Sequence, residues 1–163
     1  MRGAILFLSF LTLASPVAAQ RQPLGIYSLW GAFRDNSPSR CFAVAQPTRG
    51  PRAEGWQPFA AVSWWPGRGV RGQLHVRLSR QKRPGSAVLL RIDGRPFQLA
   101  GGGVNAWAPN RAADAEILRA MRTGVGMSVE TRSTRGTPVR DFYPLRGAAT
   151  AMDAAAIACA TPV

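Results

Sequence analysis

Along this 163-residue chain short apolar runs alternate with turn-rich polar stretches, and several runs carry a period of two. The clearest is QLHVRLSR at 73–80, where Leu74, Val76 and Leu78 fall on one side and His75, Arg77 and Ser79 on the other. AVLLRI at 87–92 repeats the pattern, with Val88, Leu90 and Ile92 inward. Asp93-Gly94 then supplies the dipeptide of a two-residue hairpin, because both central residues of such a turn need positive φ. PFQL at 96–99 is the expected return strand. IYSLWGAF at 26–33, CFAVA at 41–45 and FAAVSWW at 59–65 are expected strands too. The last two are apolar on both faces, which predicts strands covered on both sides with Trp64 and Trp65 in the core. A short strand is expected at 104–108, and a closing hairpin from 127–132 and 138–143 around residues 133–136.

Between these runs, 20–25 reads as a lead-in, 35–39 (DNSPS) as a turn, and 47–58 and 101–103 as loops, from their Pro, Gly and polar content. One segment has a convincing helical period. Asn110 is its cap, Asp114 and Glu116 lie near its positive end, and Arg119 and Arg122 lie near its negative end. Ile117, Leu118 and Met121 form its apolar stripe, and Gly124 stops it. The alanine-rich stretch 147–159 is expected to be a short helix that returns Cys159 to the strands. Roughly seven to nine short strands, with turns about every 8–12 residues, predict an antiparallel β-sandwich with one or two helices. No internal repeat or linker divides it, so residues 20–163 are expected to be one domain.

The first residues change the setting. Arg2 precedes an apolar core, AILFLSFLTLA at 4–14, and Val17-Ala18-Ala19 places small residues where a signal peptidase reads. That core is shorter than the roughly 20 residues a membrane span needs. Residues 1–19 are therefore expected to be a signal peptide, cut after Ala19, with the remainder exported to the periplasm or beyond. No later segment is apolar enough to be a transmembrane span, and no cysteine follows the cut to take a lipid.

Export gives the two cysteines a reading. In an oxidising compartment Cys41 and Cys159 have one intramolecular pairing, and closing a loop of this length stabilises by roughly 4–5 kcal/mol in the chain-entropy model. A redox pair wants its cysteines close in sequence, and a zinc site wants four ligands. One histidine and no Cys-x-x-Cys make both poor alternatives.

Net charge is +13, and Lys82 is the sole lysine among 21 basic residues. With abundant Ala, Gly and Pro, that skew suits a GC-rich bacterial genome as well as selection for a ligand. Either way the chain attracts polyanions. Its densest basic cluster is Arg68, Arg71, Arg77, Arg80, Lys82 and Arg83. These six are the candidate anionic-surface binding residues, against the plainer reading of a solvated face. An exported chain meets envelope polysaccharide, lipid or a host surface sooner than nucleic acid.

Little in the chain suggests catalysis. His75, the lone imidazole, stands on the polar face of a regular strand and has no evident orienting partner. Among eight acids, Asp93, Asp114, Glu116 and Asp153 have structural readings, leaving Glu54, Glu130 and Asp141 as candidates for a paired-carboxylate hydrolase. No metal, nucleotide or cofactor signature is present, and 101–103 lacks the spacing of a dinucleotide turn.

Three stretches carry a family resemblance: Trp30 followed by RCFAVAQP, then VSWWPGRGVRGQLHVRLSR, then MSVETRSTRGTPVRDFYPLRGAATAMDAAAIAC. Together they resemble the invasion-associated locus B family of alphaproteobacterial envelope proteins over most of the exported part. The resemblance implies a secreted, immunoglobulin-like β-sandwich with no catalytic residues to carry over, whose named role is assistance to host-cell invasion in a few pathogens. The chain departs from the family in its cysteines, having Phe33 and Arg34 where the family carries a further cysteine soon after its first Trp. Three functions are thus in view: non-enzymatic surface contact with an anionic component, pairing with a partner through a sheet edge as a periplasmic accessory or chaperone-like protein, and a small envelope hydrolase.

Overall fold

The computed structural model describes residues 21–53 and 55–160. The expected signal peptide and its cleavage site lie outside the described residues, as does Glu54. Among the described residues there are ten strands: β1 (Arg21–Tyr27), β2 (Trp30–Asn36), β3 (Ser39–Ala45), β4 (Phe59–Trp65), β5 (Val70–Arg77), β6 (Val88–Ile92), β7 (Arg95–Gly102), β8 (Asn105–Trp107), β9 (Gly126–Arg132) and β10 (Pro138–Pro144). Helix α1 (Arg111–Thr123) sits between β8 and β9, and α2 (Ala148–Ala160) follows β10. All pairings are antiparallel, in the order β1-β2-β3-β4-β5-β8-β7-β6-β9-β10.

Strand β7 turns this ribbon into a sandwich-like fold. Its first part, through Leu99, pairs with β6, and its last three residues, Ala100–Gly102, pair with β8. The sheet therefore folds over at β7, bringing Val88, Leu90, Met127, Val129 and Tyr143 of one layer against Trp30, Ala43, Val62, Leu74 and Val76 of the other. Ile117 and Met121 of α1 and Ala151 and Met152 of α2 complete the same core. Backbone bonds between Phe142 and residues 48 and 49 help close the far side.

The expected mainly β, antiparallel sandwich-like class with two short helices is what the chain adopts. Local signals hold at several turns. Asp93 and Gly94 take φ values of 46° and 89° in the β6–β7 turn, and the Asn110 side chain accepts a hydrogen bond from the Ala113 amide at 2.9 Å. Gly124 ends α1 for a different reason than a left-handed cap. Its backbone is extended, and a Cβ there would meet Ile92, the Ala120 carbonyl and Leu145, all within 3 Å.

Two expectations are corrected. Residues 26–33 are not one strand: Tyr27 pairs with Trp30 across a two-residue turn. Ser28 takes φ 58° there, where a glycine would have advertised the turn. The supposed lead-in is consequently edge strand β1. The second correction concerns cover. Cys41, Ala43, Ala60 and Val62 face the core, but neither helix covers the opposite face, and Trp65 lies there, half-buried, rather than in the core.

Candidate functional site: an arginine–aromatic face

On that outer face the aromatic side chains are covered by one another and by arginines. Phe33 and Phe42, cross-strand partners on β2 and β3, stack with centroids 5.7 Å apart. The Arg40 guanidinium lies 4.3 Å from the Phe42 ring centre and 5.0 Å from that of Trp65, so it bridges the two rings. Arg68, in the 3-10 turn Pro66–Arg68, lies 4.9 Å from the Trp65 ring centre. Asp35 fixes the arrangement through Arg40 at 2.6 Å and Arg21 at 2.9 Å. Burial acts to raise the Asp35 pKa, but the two guanidiniums outweigh it and hold the carboxyl below its ordinary range.

A second group lies further along the same face. His75 of β5 stands opposite Trp107 of β8, and the rings are parallel within 7° with centroids 5.1 Å apart. Phe59 meets His75 edge-on, also at 5.1 Å, and His75 Nε2 is 2.9 Å from Asn105 Oδ1. Burial lowers the His75 pKa and nearby Arg77 and Arg40 lower it further, against the opposing hydrogen bond to Asn105. His75 is thus neutral at pH 7 and serves as a packing surface for Trp107.

The six basic candidates do not converge. Arg77 follows His75 on the outer face, and Arg68 lies beside Trp65. Between them Gly72, at φ 85°, forms a bulge that places Arg71 opposite Trp64, on the side that α2 covers. There Arg71 lines a cavity of about 430 Å³ with Trp64, Pro66, Val70, Ala156 and Cys159. Arg80, Lys82 and Arg83 lie past the end of β5. Lys82 is buried, and its ammonium donates to the Arg83 carbonyl at 3.2 Å. No side-chain pattern revealed the bulge, although Gly72 could have been read as a break in the period.

The acids have structural work. Asp114 accepts from the Leu74 amide at 2.8 Å, just beyond where β8 stops pairing with β5. Asp93 accepts from the Val125 and Gly126 amides. Glu116 pairs with Arg95, Asp153 with Arg122, and Glu130 with Arg91 and Arg140. Asp141 is fully buried and accepts from the amide and hydroxyl of Ser79. Glu130 stands opposite Arg140 and Asp141 opposite Val129, so these two hydrolase candidates point to opposite faces of the sheet. Among the described residues no cluster of His, Cys, Asp and Glu could hold a metal ion, and no helix is long and apolar enough to cross a membrane.

Cys41 and Cys159 are joined, with Cα atoms 5.7 Å apart, tying the end of α2 to β3. Arg34, the cross-strand neighbour of Cys41, donates to the Ala158 carbonyl at 3.3 Å, within the last turn of α2, where carbonyls lack helical partners.

No family model and no curated protein matches the chain. Among solved structures the chain is similar to the crystal structure of invasion associated protein B from Bartonella henselae, with a TM-score of 0.60 and 15% identity over 84% of this chain and 98% of that one. The likeness is one of fold, and it spans nearly the whole of that protein.

Proposed function

We propose that this chain is an exported, non-enzymatic protein of the bacterial envelope that acts by surface contact with an anionic component of the envelope or of a host. The supporting observation is where the charge goes. Each of the seven acids among the described residues already has an arginine or backbone amide as partner, while net charge is +13. The positive surplus therefore goes to the surface, and on the outer face part of it is held in place: the Arg68 guanidinium lies 4.9 Å from the Trp65 ring centre, so fewer rotamers are lost on meeting an anion. The shared fold with an invasion-associated protein agrees with this reading.

The rival functions find less support. Glu130 and Asp141 cannot form a carboxylate pair across one substrate. Strand β1 lies at the end of the sheet order, but Pro23 and the irregular register between Pro23 and Gly25 interrupt its free edge.

The test is retention of the processed protein on anionic vesicles and on an acidic polysaccharide across a salt series. Strong retention at low salt, lost as salt rises, is expected, as is a marked loss in the Arg68→Glu/Arg77→Glu double variant. Passage through both matrices unretained at low salt would sink the proposal.

A further inference from the structure

The outer face is not uniform, and its most accessible aromatic ring is Trp107, 37% exposed. One face of that indole rests on His75. The other looks toward β7, where the cross-strand partner of Trp107 is Ala100 and the next outward position is Gly102. Both are exposed, and neither carries a side chain that could cover an indole. A flat aromatic surface thus lies open beside a cleared strip of backbone, held by a stacked, hydrogen-bonded histidine.

Its strand neighbours are polar. Arg77 and Asn105 are cross-strand partners on this face, and the exposed Gln98 precedes Ala100 by two positions on the same face of β7. No outward position of β4, β5, β7 or β8 is Asp or Glu. A planar ring offers a stacking surface to the C–H face of a pyranose. Arginine offers a fork suited to carboxylate or sulfate, and side-chain amides suit hydroxyls. A lipid surface asks for something else, namely apolar tips that protrude. Apart from Trp107, the exposed large apolar side chains among the described residues are Ile26 and Leu29 at the β1–β2 turn, Val125 just before β9, and Ile157 on α2, and none of them stands on β5, β7 or β8 beside Trp107.

We infer that the Trp107–His75 platform is a subsite for an acidic polysaccharide, with one sugar ring stacked on Trp107 over Ala100 and Gly102 and its acid group on Arg77. This rests on the surface-contact reading and names its ligand class.

Polygalacturonate serves as the acidic probe, dextran as the neutral one, and phosphatidylglycerol vesicles as the lipid alternative. Two variants of the processed protein are compared, Trp107→Ala and Ala100→Glu. The second alters only an exposed position that fills the clearing with an opposing charge, so it keeps the test meaningful should the first lose its fold. Both are expected to weaken polygalacturonate binding by about tenfold, the scale of one lost ring stack plus its neighbouring ion pair, while vesicle retention changes little. Dextran is expected to bind far more weakly than polygalacturonate. If both variants hold polygalacturonate as the parent does, charge alone governs retention and the subsite is overturned while surface contact stands. If the variants lose vesicle binding instead, or if dextran binds as tightly as polygalacturonate, the ligand class is wrong. Absence of binding to every anion would remove the broader proposal as well.

Discussion

Asp141 takes both hydrogens that Ser79 offers, accepting from its amide at 2.9 Å and its hydroxyl at 2.5 Å, in a site with no solvent exposure. This carboxylate ties the chain just past β5 to β10, on the side where the sandwich closes. Burial raises its pKa, and the two bonds from Ser79 oppose that rise only in part. Replacing Asp141 with Leu strands a buried amide and hydroxyl and is expected to cost roughly 2–4 kcal/mol. Asp141→Asn keeps one acceptor and is expected to cost less. Because the folded pKa is raised, the folded state binds a proton more readily than the unfolded one. Wild type therefore gains stability relative to Asp141→Asn as pH falls through the raised value. Urea midpoints of both proteins across an acid pH series check this, and parallel profiles contradict it.

His75 carries the opposite sign. Its pKa is lowered in the fold, chiefly by burial between Phe59 and Trp107, so the unfolded chain takes up the proton first. The stability this histidine contributes is complete above its unfolded value near 6.5 and is lost as pH falls through the folded one. His75→Gln is expected to flatten that part of the thermal-midpoint profile. An unchanged slope between neutral pH and the carboxylate range would show that the ring does not titrate as described.

Gly147 is expected to tolerate no side chain. It takes φ 89°, and a Cβ there would run into the carbonyl group of Tyr27. Gly147→Ala must therefore push the start of α2 away from β1, at a cost of about 3 kcal/mol or more. Gly67→Ala, in open space with an ordinary φ, is the control and is expected to be near neutral. Chemical denaturation of the two variants measures the difference.

Joining residues 118 apart, the Cys41–Cys159 bond restricts the unfolded chain strongly. The Cys41→Ala/Cys159→Ala variant is expected to lose roughly 2–5 kcal/mol. Arg34 and the packed face of α2 remain, so hydrogen exchange should rise first in that helix. Equal loss of protection throughout the sheet would show that α2 and the sandwich open as one unit.

Much of this architecture was legible in short-range pattern. The period-two run from Leu74 to Arg77, Asp93-Gly94 and Asn110 each marked an element by chemistry confined to a few residues, and each holds in the fold. Ser79, expected to face outward with His75 and Arg77, is instead fully buried against Asp141, because β5 ends at Arg77. The Ser28 turn left no such mark, because serine seldom takes positive φ and nothing in its neighbours demands that it do so. The cluster from Arg68 to Arg83 is dispersed in the fold for a related reason. Nearness in sequence does not survive a bulge at Gly72 that sends Arg71 to the α2 side, nor a chain path that buries Lys82.

Most of the strand content, the Asp93-Gly94 turn, the start of α1 and the excess of positive charge were settled locally, since backbone geometry and ionisation depend mostly on a residue and its immediate neighbours. Which apolar face would be enclosed could not be settled that way. Phe42 and Val44 look as core-like as Cys41 and Ala43 along the chain, and only the folding of the sheet at β7 with the docking of α2 distinguished them. The same long-range assembly laid Trp107 on His75, because side chains from distant strands meet only once pairing and sheet curvature are complete.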